Sequence, residues 1–161
     1  MDSGAGYLNE GPIYDLKSER NEDRHLEKID EAYIKVIRKF RKRAELQGGY
    51  KSLPELWLDF APIILKTIHL KSSPVQRLLT YTGDFHEFCD AFKEDTDLHE
   101  YKEYFEAMDF AWCTILAHSN VSATDRVRII NVLRDGQDRA SKLGLQEVYA
   151  HATDKADDDE D

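Results

Sequence analysis

The chain has 161 residues, 41% of them hydrophobic and 34% charged, so it can build one core, and its 2 cysteines exclude a disulfide scaffold. A formal charge of −10 argues against wholesale binding of nucleic acid or of an anionic membrane, while leaving room for a local basic patch. The first 25 residues lack the apolar run of a signal peptide, and residues 53–70 are interrupted by Asp59, Pro62, Lys66 and His69, so no membrane contact is expected. An intracellular location follows, cytoplasmic or, in a eukaryotic or viral setting, nuclear.

Residues 1–20 carry Gly4, Gly6, Gly11 and Pro12 without a sustained period and read as a flexible N-terminal arm. From residue 21 a helical pattern sets in. Leu26, Ile29, Tyr33, Val36, Ile37, Phe40 and Ala44 fall within roughly 60° of Tyr33 on a helical wheel, and Gly48-Gly49 ends the pattern. The far side of this helix carries Lys35, Arg38, Lys39 and Lys42, part of a run in which 6 of the 9 residues 35–43 are basic.

Residues 53–70 form the most apolar stretch, with Ser52 and Glu55 as a capping box. Apolar side chains occupy nearly the whole wheel, which places this segment at the centre of a helical domain. Pro62 removes a backbone donor, so a kink or a break is expected there. Leu58 and Leu65 lie opposite Phe60, and their exposure would turn a folding scaffold into a binding surface.

Ser73-Pro74 opens a short helix closed by Gly83, and Asp84 with Glu87 opens another bearing Phe85, Phe88, Cys89 and Phe92. Asp97 with Glu100 then caps a long helix reaching about His118, with Leu98, Tyr101, Phe105, Met108, Trp112 and Ile115 inward. Phe110 points the other way, beneath a neighbour or at an interface. Ser122 with Asp125 caps the next helix, bearing Val127, Ile130 and Leu133 and punctuated by Gly136. A last segment holds Ala140, Leu143, Val148 and Tyr149. Residues 152–161 are rich in acids and read as a disordered tail.

The expectation is an all-α, compact single domain over residues 21–151, with six or seven helices around a central apolar helix pair. Charge is segregated, since residues 84–109 hold 10 acids against 2 lysines. Glu100, Glu103 and Glu106 give an acidic face for a basic partner, opposite the basic face formed by Lys35, Arg38, Lys39 and Lys42. Such faces can also stack copies of the chain head to tail.

Catalytic and metal patterns are weak. His86, Cys89, Cys113 and His118 can be drawn as a zinc set, but Cys113 and His118 diverge by about 140° on their wheel. Glu22 and His25 have the spacing of a di-iron ligand pair without a second such motif. Asp109 is the irregular acid, about 40° from Phe105 inside the apolar sector. A carboxylate there needs a partner, and a Lys or Arg from another helix is expected ahead of a role as general acid or base. Taken together, the pattern points to a non-enzymatic interaction protein, a regulator, inhibitor or assembly subunit that uses no cofactor and binds another protein. A nucleic-acid-binding subunit using the basic face is the alternative.

Overall fold

The computed structural model describes residues 11–72 and 74–157, with side chains from residue 20 onward. Within them the chain folds into six helices and no strand: α1 (Gly11–Arg41), α2 (Leu53–Thr67), α3 (Pro74–Ala91), α4 (Leu98–His118), α5 (Ala123–Lys142) and α6 (Ala150–Asp157). The all-α bundle is the architecture expected, but its centre lies elsewhere.

α3 is the hub. Its Phe88 ring lies 4.7 Å from Phe40 of α1 and 5.3 Å from Phe60 of α2. Phe85, one turn earlier, meets Trp57 of α2 at 5.7 Å and Phe105 of α4 at 4.9 Å. α5 covers the remaining side, where Arg139 pairs with Asp90 at 2.7 Å. Two buried hydrogen bonds lock α4 to α3: the Trp112 indole donates to Thr82 at 2.9 Å, and the Tyr101 hydroxyl donates to the Cys89 carbonyl at 2.9 Å. These satisfy polar atoms that would otherwise oppose burial.

α2 is therefore a flank rather than a centre. It packs on α1, α3 and α4, yet Leu58 is 75% and Leu65 57% exposed. Periodicity shows that a helix is apolar all round; it does not show which elements arrive to cover it. α2 also runs unbroken through Pro62. Pro62 is on the exposed side, so the carbonyl it frees one turn earlier, at Leu58, falls toward solvent instead of into the core.

Several boundaries differ from expectation. α1 begins at Gly11, inside the expected arm, and ends at Arg41, which leaves Ala44 in an exposed loop. A Cβ at Gly49 would sit 2.1 Å from the Lys42 carbonyl, so the loop can fold back this tightly only with glycine there. That return brings in Tyr50, whose buried ring donates its hydroxyl to Asp59 at 2.7 Å.

Gly83 and Gly136 lie inside α3 and α5 and end neither helix. A glycine weakens a helix interior by about 1 kcal/mol, which the burial of nine α3 side chains outweighs. Asp84 is consequently no cap: burial pushes its carboxyl up, while the Tyr33 hydroxyl, donating at 2.7 Å, pulls it down. On α5 the inward stripe is Ile129, Leu133, Gly136 and Ala140, with Val127 exposed; on α4 Leu98 is also exposed. Finally, residues 152–157 belong to α6 rather than to a disordered tail, with Ala152 and Ala156 buried. Residues 1–10 and 158–161 of the expected arm and tail lie outside the described residues.

Candidate functional site

α2 and α4 run side by side in the same direction. Trp57 stacks on Tyr104 at 4.6 Å, and two turns further on Ile64 and Ala111 line the same groove. Between the two helices lies a concavity of about 680 Å³. Leu58 and Leu65 form one wall and Phe110, 65% exposed, stands on the other. Ala61, Ala107 and Ala111 are small and keep the groove open between them. Glu103 is the one charged residue in its lining. These large apolar side chains, gathered in one exposed concavity, form a contiguous apolar surface.

The basic face of α1 is present but thinner than expected. Lys35 and Arg38 are exposed on α1 and Lys42 is exposed in the turn just beyond its end, whereas Lys39 lies 4.6 Å over the Tyr50 ring and 3.6 Å from the Glu55 carboxylate. Arg43 is spent similarly, 4.0 Å over the Phe40 ring. The acidic face is divided. Glu100 closes the capping box at the start of α4, accepting from the Asp97 amide, while Glu103 lines the apolar groove and Glu106 a second pocket.

That second pocket, about 460 Å³, lies between α4 and the loop from Gly144 to Tyr149 and is lined by Lys102, Glu106, Asp109 and His151 among others. Asp109 is buried as its wheel position required, but its partners are not a Lys or Arg. One carboxylate oxygen accepts from the Ala152 amide at 2.8 Å and the other from His151 Nδ1 at 2.9 Å. Ala152 is the third residue of α6, so Asp109 acts as an N-cap supplied from another helix. A carboxylate–imidazole pair can also hold and pass a proton. Here the capping bond already accounts for the buried acid.

The drawn zinc set does not assemble. His86 is fully buried, its Nε2 2.8 Å from the Tyr149 hydroxyl, and burial pulls its pKa down to about 4 against the nearby Asp135 carboxylate. Burial raises the Cys89 thiol well above its ordinary range. Among the described residues no three His, Cys, Asp or Glu side chains gather as a metal site. Glu22, from the di-iron-like spacing, instead accepts from the Lys71 and Ser72 amides, both at 2.9 Å, and so ties α1 to the second half of the α2–α3 link, just before α3.

Leu58 and Leu65 are expected opposite Phe60 under the cover of other helices, so their exposure is a correction; their side of α2, like the direction of Phe110 away from the inward face of α4, was legible. Their meeting in one groove was not, because it depends on α2 and α4 lying in parallel. His151 carried no signal, since its role depends on Asp109 arriving from 42 residues away. Comparison with protein-family models, with curated proteins and with solved structures finds no match to this chain. No helix among the described residues is long and apolar enough to cross a membrane.

Proposed function

We propose that the protein is a non-enzymatic interaction protein that engages a protein partner through the groove between α2 and α4. The observation that supports this is the clustering of Leu58, Leu65 and Phe110, all more than half exposed, around one concavity. Covering a fully exposed large aliphatic or aromatic side chain is worth about 1.5–3 kcal/mol, so these three partly exposed anchors would offset part of the entropy of association, and further contacts along the groove must supply the rest. The test is a tagged pull-down from the native host, nuclease-treated, with the wild type beside a Leu58→Glu/Phe110→Glu variant. Proteins captured by the wild type should be lost from a variant that melts at the same temperature. Equal capture by both would overturn the groove as the partner site.

A second reading, contact with a nucleic-acid backbone, is supported by Lys35, Arg38 and Lys42, which are exposed and form no ion pair among the described residues. With Lys39 held against Tyr50 and Glu55, three cations remain on that stripe. That reading requires a complex whose affinity falls steeply with salt, and a shallower salt dependence when Lys35 and Lys42 become Gln.

A further inference from the structure

Two features of the groove narrow what can fill it. Its length and spacing suit a helix: Leu58 and Leu65 are seven residues apart on α2, two turns or about 10.5 Å, the same interval that separates positions i and i+7 of an incoming helix. Its cross-section does too, because Ala61, Ala107 and Ala111 let a third backbone approach two helices that already lie in parallel.

Charge then selects among helices. Glu103 lines the groove at the Leu58 end and makes no hydrogen bond or ion pair with any described residue, and no cation lines the groove to balance it. A second copy of this chain presenting the same face would bring the same Glu103 and no cation from that lining. An acidic helix would meet repulsion from Glu103 and from a molecule of charge −10.

We propose that the occupant is an amphipathic helix of another protein, with large apolar residues at i, i+3 or i+4, and i+7, and a Lys or Arg flanking that ridge beside Glu103. This rests on the reading of the groove as the partner site. In the complex the apolar ridge fills the space between Leu58, Leu65 and Phe110, and the flanking cation fixes which way the helix runs.

The test is a displayed library of helices of about 16 residues with a fixed apolar ridge and flanking positions drawn from Lys, Gln and Glu. It is selected on the wild type and counter-selected on the Leu58→Glu/Phe110→Glu variant. Lys should be enriched at one flank; replacing it with Glu in a selected peptide should weaken binding about tenfold or more. In a Glu103→Lys variant the preference should reverse. Absence of groove-dependent binders, or binders with no flank preference, would overturn the proposal. So would a wild type that sediments as a dimer and becomes a monomer in the Leu58→Glu/Phe110→Glu variant, since the occupant would then be a second copy. The two levels separate cleanly. If the groove variant keeps every partner in the pull-down, the partner site is elsewhere; if it loses them but the library shows no Lys preference, only the basic helix is wrong.

Discussion

Gly136 sits where α5 crosses the His86–Tyr149 pair, and a Cβ built there would lie 2.4 Å from His86 Nε2 and 2.6 Å from the Tyr149 ring. Both neighbours are buried and neither can withdraw. Gly136→Ala should therefore destabilise the fold by about 1–3 kcal/mol despite its better helix propensity. Gly83 is the control: it is also inside a helix, but a Cβ there meets nothing within 4 Å. Gly83→Ala should stabilise by about 0.5–1 kcal/mol, and urea unfolding of the two variants would show opposite shifts of midpoint. His86 gives a pH dependence of definite sign. Its folded pKa of about 4 lies below the value of about 6.5 for an unfolded histidine, so the unfolded chain takes up the proton first. Stability is therefore intact above about pH 6.5 and falls as pH drops toward 4, by about 2–3 kcal/mol from this group. Urea midpoints across that range should decline less steeply in a His86→Gln variant. A parallel decline would assign the effect to other groups.

At the scale of elements, α6 shows how a short helix is held by its surroundings. Eight residues are too few for a stable isolated helix, and its buried face offers only Ala152 and Ala156. The missing stability comes from three contacts. Asp109 caps its N-terminus, Arg126 of α5 donates to the Ala156 carbonyl at 3.2 Å, and Tyr149, just before the helix, is buried against His86. Tyr149 accepts a left-handed backbone, φ 61°, to reach that position, a conformation that must be offset by its burial. Asp109→Ala should cost about 1–2 kcal/mol and speed amide exchange through residues 150–157, whereas Asp109→Asn, which keeps an oxygen acceptor, should cost less. Exchange unchanged in both would show that the cap does not hold α6. α4 behaves differently, because it carries a long apolar stripe and its own cap at Asp97.

At the scale of the molecule, the same absence of cover that defines the groove makes a prediction about stability. Leu58 and Phe110 are 75% and 65% exposed, so Leu58→Glu/Phe110→Glu should change the unfolding free energy by no more than about 1 kcal/mol, measured by thermal or urea unfolding. A large loss would mean that these residues serve the fold. The sequence by itself determined that the chain is helical, that Ser52, Asp97 and Ser122 open helices, and that Asp109 is an acid inside an apolar sector. Each of these rests on residues within a few positions of one another, where helical geometry sets the spacing. The tertiary structure alone decided that α3 and not α2 is the hub, that Gly83 and Gly136 are spanned rather than obeyed, and that Asp109 caps a helix through an amide 43 residues away. It also decided that Leu58, Leu65 and Phe110 share a groove. Those outcomes depend on which faces meet across the bundle, and a stripe of apolar residues specifies that it must be covered without specifying by what.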